Sequence, residues 1–191
     1  DRLAGNSDHR GALLVLPSRP QRSSAARRMT VREFCSTLNE DDGALVLILD
    51  GITDPHNLGA ILRSADQFSV SLVIIPSRRS AQSNQTVVKV SSGAAHHVKQ
   101  AVVTNLNREI EYLKSRGFWV YGAALGGKSL HEATFPKRTA LVLGSEGRGI
   151  SRLTEQLCDH IVAIPTTGNI DSLNVSVAAG IFLYEIRRQQ A

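Results

Sequence analysis

The sequence predicts an α/β fold, a parallel sheet covered by helices on both faces. Two observations carry this. From Ala44 onward, short runs rich in Val, Ile and Leu alternate with helical patterns, and the helices are about ten residues or longer. The strand runs are also continuously apolar, as in Leu45-Val46-Leu47-Ile48-Leu49, which suits a sheet buried on both sides. The 191 residues suffice for one domain with a substantial core, and no internal repeat is visible.

Taken in order, "HRGALLVLP" (9–17) reads as the last strand of a unit whose beginning is missing, and the chain reads as a fragment or processed product. "PSRPQRSSAARR" (17–28) has no apolar period and reads as an extended or disordered linker. Residues 30–39 suggest a short helix, with Thr30 as N-cap and Glu33 closing a capping box. Strands are expected at 44–49, 71–76, 118–124, 139–143 and 161–164, and a weaker one near 98–103. Helices are expected at 55–68, 84–91, 105–116, 149–157 and 174–188. The helix at 55–68 presents Leu58, Ile61, Leu62, Ala65 and Phe68 on one face, with Arg63 off it. In parallel sheets ligands bind beyond the carboxyl ends of the strands, so chemistry is sought in loops 50–57, 76–84, 125–134, 144–149 and 165–173.

Composition narrows the class. No stretch approaches the roughly 18 apolar residues of a membrane span. Cys35 and Cys158 lie far apart without metal-ligand spacing, so a reducing cytoplasm is the default and no metal is expected. Twenty-two Lys and Arg face 17 Asp and Glu, giving +5. Arg10, Arg19, Arg22, Arg27, Arg28 and Arg32 occur between His9 and Arg32 with no carboxylate among them, and Arg78-Arg79 form a second basic spot. A polyanion such as nucleic acid and a solvated linker explain this equally well.

Three loops are rich in glycine. "GAALGGKS" (122–129) fits the phosphate-loop pattern, but "LHEATFPKR" follows where a long helix should begin. A nucleotide hydrolase is thus the minor alternative, with a Gly-rich wall beside a small-molecule pocket the major one. "LGSEGRGIS" (143–151) gathers three glycines around one carboxylate, Glu146, without dinucleotide spacing. "IPTTGNIDSLNVSVAAGI" (164–181) leads into an apolar helix opened by Ser172-Leu173-Asn174, with Asp171 or Ser172 as N-cap. That helix is apolar nearly all round, as burial on several sides, or against a second subunit, would require. His96-His97 lack ligand spacing and read as surface or RNA-contacting histidines.

"TDPHNLGAILRSAD", "LVLGSEGRGIS" and "IPTTGNIDSLNVSVAAGI", in this order, resemble the three signature motifs of the SpoU (TrmH-like) 2′-O-ribose methyltransferases of the SPOUT superfamily. "RSAQSNQTVVKVSSGAAHHV" resembles the bacterial 23S rRNA guanosine-2′-O-methyltransferase branch in particular. The resemblance covers 44–191, which it marks as the catalytic domain after a basic linker at 17–43. Residues 1–16 resemble the tail of the small RNA-binding domain that precedes it in that branch.

The resemblance implies a Rossmann-like SPOUT domain with a C-terminal deep trefoil knot, an exception to unknotted topology. It implies bound S-adenosyl-L-methionine, a homodimer through the knot helices, and a structured RNA substrate, rRNA ahead of tRNA. Carried over by position, the cofactor residues are Leu125, Gly126, Gly144, Ile164, Ser172 and Leu173. The catalytic residues are Asn57, Arg63, Glu146 and Asn174, and the RNA contacts are Arg63, Arg78 and Arg79. The family often makes its Arg the general base. A guanidinium offers no acceptor while charged, so the alternative is that Arg63 holds the target phosphate.

Overall fold

The computed structural model describes residues 28–78, 80, 81, 85–169 and 172–191. Six strands form one parallel sheet: β1 (Ala44–Asp50), β2 (Leu72–Pro76), β3 (Gln100–Val103), β4 (Trp119–Ser129), β5 (Arg138–Gly144) and β6 (His160–Ala163), in the order β3-β2-β1-β5-β4-β6. The helices are α1 (Val31–Ser36), α2 (Pro55–Gln67), α3 (Gln85–Val90), α4 (Leu106–Ser115), α5 (Arg152–Leu157) and α6 (Val175–Gln190). The fold class expected from the alternation is the one observed.

Side chains on a strand alternate between faces, and here both faces are covered. Leu45, Leu47 and Leu49 pack with α2 and α6, through Leu58, Ile61, Leu62, Phe182 and Leu183. Val46 and Ile48 face α1 and α4, through Phe34, Ile110 and Leu113. Each such aliphatic side chain contributes about 1.5–3 kcal/mol by leaving water. The short helix expected at 30–39 is α1, closed by the reciprocal Thr30–Glu33 box.

Strand β1 is central, pairing with β2 on one side and β5 on the other. The chain first builds outward to β3 and then crosses to the opposite side, so the order reverses beside β1. At that switch point Asp50 lies opposite Gly144, and the loops leaving β1 and β5 emerge side by side.

Three of the boundary differences have a clear physical cause. β4 extends to Ser129 because it bulges at 124–127 and pairs again with β6, Lys128 facing Val162. The helix expected from 149 starts at Arg152, since Gly149 closes the preceding loop against Ser145. Helix α6 begins at Val175 with Asn174 as N-cap, not Ser172, because the Asn174 side chain accepts from the Ser176 amide at 2.9 Å. Asp171, the other N-cap expected, lies outside the described residues, as do Arg79 and all of residues 1–27.

The far end of α6 is fastened by side chains. Gln189 donates to the Ala133 carbonyl at 3.0 Å and accepts from the Phe135 amide at 3.1 Å, while Gln190 donates to the Pro136 carbonyl at 2.7 Å. Glu185 holds this end in place, accepting from Arg188 at 2.7 Å and Gln189 at 2.8 Å. Among the described residues, no helix is long and apolar enough to cross a membrane.

Candidate active site

The site is assembled from three chain segments at the switch point. The first is the start of α2, where Asp54 caps the helix by accepting from the His56 amide at 2.9 Å and Pro55 occupies the first turn. Both fix the entry of the chain, so Asn57 comes inward and is buried. The second segment is the loop after β5. Ser145 and Gly149 exchange reciprocal backbone hydrogen bonds of 3.0 and 2.8 Å, closing a small ring with Glu146, Gly147 and Arg148 at its tip. The ring closes only because Gly144 lacks a side chain: a Cβ there would lie 2.0 Å from the Gly149 carbonyl carbon. The third segment is the N-cap of α6.

These segments meet in a triangle of polar side chains. Glu146 Oε1 accepts from Asn57 Nδ2 at 3.0 Å and from Asn174 Nδ2 at 2.7 Å, and Asn174 Nδ2 also lies 3.1 Å from Asn57 Oδ1. Asn174 divides its amide: Oδ1 caps α6 while Nδ2 faces the other two residues. Glu146 Oε2 has no hydrogen bond to a described residue and remains an acceptor.

Beside the triangle lies a cavity of about 480 Å³, within the range of roughly 300–1,000 Å³ usual for small-molecule sites. Its walls are the β4 bulge at Ala123–Leu125, the ring segment from Leu143 to Ile150, the end of β6, and the start of α6 with Ser172 and Leu173. Most of this lining is aliphatic, aromatic or backbone. Glu146, Arg148 and Glu155 are its charged side chains. Burial pushes the Cys158 thiol up to about 12, which disfavours its thiolate at neutral pH.

Comparison with known proteins places this arrangement. The sequence pattern of the SpoU rRNA methylase family matches residues 44–184. The chain belongs to that family. It is 43% identical over 190 residues to an "Uncharacterized tRNA/rRNA methyltransferase" of Borreliella burgdorferi, covering 99% of this chain and 83% of that protein. It is 50% identical over 153 residues to the 23S rRNA (guanosine-2′-O-)-methyltransferase RlmB of Neisseria meningitidis, covering 80% of this chain and 61% of the relative. The SpoU methyltransferase AviRb from Streptomyces viridochromogenes, solved with AdoMet, superposes with a TM-score of 0.74 at 27% identity, covering 81% of this chain and 61% of that one. The chain thus spans about three fifths of the length of several of these relatives.

Within this SpoU family member, Asn57, Glu146 and Asn174 are brought into direct contact. Arg63 is not part of the triangle. It sits about 9 Å farther along α2 by helical rise, exposed, with no hydrogen bond or ion pair to another described residue. Leu125, Gly144, Ile164, Ser172 and Leu173 line the cavity, whereas Gly126 does not and instead turns the bulge at φ +76°. Arg78 is exposed just after β2. His97 is exposed, and His96 is half-buried with its Nδ1 unpartnered among the described residues.

The phosphate-loop alternative fails on structure. Lys128 lies in a strand, and only a short 3-10 turn at Leu130–Glu132 follows, so the lysine does not open a helix whose amides could cradle phosphate. Asp50, the aspartate that ends β1, accepts from the Ser151 amide at 2.9 Å and holds the exit of the ring. Sequence reasoning missed this role, and it missed Arg148 and Glu155 as cavity residues. Asp50 had a usable signal in ending a buried strand at the switch point. Arg148 and Glu155 had none, because their inward placement depends on the ring and on α5.

Proposed function

We propose that this chain carries the catalytic domain of an S-adenosylmethionine-dependent RNA 2′-O-ribose methyltransferase, acting on guanosine in 23S rRNA. The observation that carries the reading is the Asn57–Glu146–Asn174 triangle at the rim of an apolar cavity, in a chain whose relatives include RlmB. The cavity fits the cofactor. Its glycine-rich walls bring backbone amides and carbonyls within reach of an adenine edge, and Gly144 lets the ring that forms one wall fold tightly on itself. Leu125, Gly144, Ile164, Ser172 and Leu173 would hold it, with Gly126 shaping the bulge. When bound, the cofactor supplies a methyl group on a sulfonium, already a good leaving group.

The residues of the chain then position rather than activate. Holding nucleophile and donor in line contributes about 7–11 kcal/mol. Asn57 and Asn174 orient Glu146, whose free Oε2 accepts from a ribose hydroxyl and fixes the sugar. Arg63, exposed and without a side-chain partner among the described residues, anchors the phosphate of the target nucleotide as a cation, so the hydroxyl proton is lost late, to solvent water, without a strong base. Arg78, at the end of β2, extends the same cationic surface, and Arg79 is assigned to it from sequence.

The wider assembly follows from the same family reading. Residues 1–16 are the remnant of an RNA-binding domain, 17–43 its basic linker, part of which packs on the sheet as α1, and 44–191 the knotted catalytic domain. Helix α6 exposes Val177, Ile181 and Tyr184 at helical spacing, an apolar stripe suited to the partner helix of a homodimer. Structured rRNA as substrate implies a cytoplasmic site of action.

Arg63→Ala tests the division of labour. Methyl transfer to a 23S rRNA fragment should fall at least about a hundredfold, while S-adenosylmethionine affinity measured by calorimetry should stay within about twofold. Loss of cofactor affinity would overturn the assignment. The same assay with tRNA decides the substrate.

A further inference from the structure

The cavity contains a charge pattern that the reading above does not use. Of its three charged lining residues, Glu146 is engaged through Oε1 by Asn57 and Asn174. Arg148 stands two residues farther on, at the tip of the ring, and Glu155 reaches the cavity from α5. Neither side chain makes a hydrogen bond or ion pair to another described residue, and both are exposed.

Both residues are also held from behind. The ring is closed by the Ser145–Gly149 pair, and Gly147 and Gly149, with open space where a Cβ would stand, flank Arg148 without obstructing it. Ser151, at the start of α5, is fixed by Asp50 at 2.9 Å, and its hydroxyl donates to Thr154, which donates in turn to Asn107. One uncommitted cation and one uncommitted carboxylate therefore face the same largely apolar space. That is the complement of a ligand with a carboxylate and an ammonium on one carbon and an apolar, aromatic body elsewhere.

We propose that Arg148 and Glu155 form the subsite for the amino-acid end of S-adenosylmethionine, Arg148 pairing with its α-carboxylate and Glu155 with its α-ammonium. The proposal rests on the cofactor reading above and deepens it. A guanidinium matches a carboxylate through two parallel hydrogen bonds, which fixes orientation as well as charge. The nucleoside is left to the apolar walls. Discrimination between the whole cofactor and its truncated forms then resides in two side chains outside the Asn57–Glu146–Asn174 triangle.

The test compares two ligands on the full chain by calorimetry: S-adenosylhomocysteine, and 5′-methylthioadenosine, which has a thioether nucleoside but no amino-acid end. Arg148→Gln and Glu155→Gln should each weaken S-adenosylhomocysteine about tenfold or more. Both variants should leave 5′-methylthioadenosine within about twofold of the parent, so the ratio of the two affinities collapses. An unchanged ratio overturns the proposal, whether both ligands weaken together through damage to the ring or neither moves. Loss of RNA affinity at an unchanged ratio would overturn it too, by assigning Arg148 to the substrate. If the parent chain binds neither ligand, the cofactor reading itself fails.

Discussion

Two glycine-rich loops border the same cavity and use their glycines for opposite purposes. In the β4 bulge, Gly127 lets one strand return to its neighbour: a Cβ there would lie 2.6 Å from the Ile161 carbonyl carbon. In the ring after β5, Gly144 lets a loop fold back on itself and present a carboxylate, Glu146, to two asparagines. The bulge shapes a wall and the ring aims a charge. Glycine content alone does not distinguish them, and "GAALGGKS" even imitates a phosphate cradle. The distinction comes from what each loop meets on the way out, strand β6 in one case and the N-cap of α6 in the other.

The largest effect should come from the ring. Gly144→Ala forces backbone apart and should cost about 3 kcal/mol or more, which for a domain of this size lowers Tm by about 6–12 °C. Gly147→Ala, at φ +80° with nothing within 4 Å, should cost only about 1–2 kcal/mol. Thermal unfolding of the two variants checks whether close approach or backbone freedom is the main demand on the ring.

A smaller effect concerns the segment after the bulge, which Gln189 and Gln190 fasten to α6. Arg188 and Gln189 hold the Glu185 carboxylate at about 2, below its ordinary 4.5. Because the folded value is depressed, the stability it contributes is complete above about 4.5 and is lost as pH falls toward about 2. Melting curves recorded across that window should show an acid decline that Glu185→Gln flattens. An unchanged decline would mean that the fastening does not depend on this charge.

The smallest effect is the sharpest for the comparison. Lys128→Ala should leave S-adenosylmethionine affinity within about twofold and create no change in titrations with ATP and magnesium. A loss of ATP binding in that variant would restore the phosphate loop and break the distinction between the two loops.

Much of this was legible in the sequence. The strands appear as apolar runs because both faces of the sheet are buried, and Leu58, Ile61, Leu62 and Ala65 give a clear helical stripe on α2. What the sequence hid depends on long-range geometry. The re-pairing of β4 at Lys128 needs β6 beside it, and local turn chemistry pointed to Asp171 or Ser172 because the draw of Glu146 and Asn57 on Asn174 is invisible in one dimension. The inward placement of Arg148 likewise follows from a ring whose closing contact, Gly144 against Gly149, involves no side chain.

The triangle also sets an order in time. Asn57 is joined to Glu146 across 89 residues and to Asn174 across 117. As the chain emerges during synthesis, the sheet's first half can pair while the site still lacks its final corner. The triangle is therefore complete only after the last helix has been delivered and capped, and until then Glu146 and Asn57 lack their third partner.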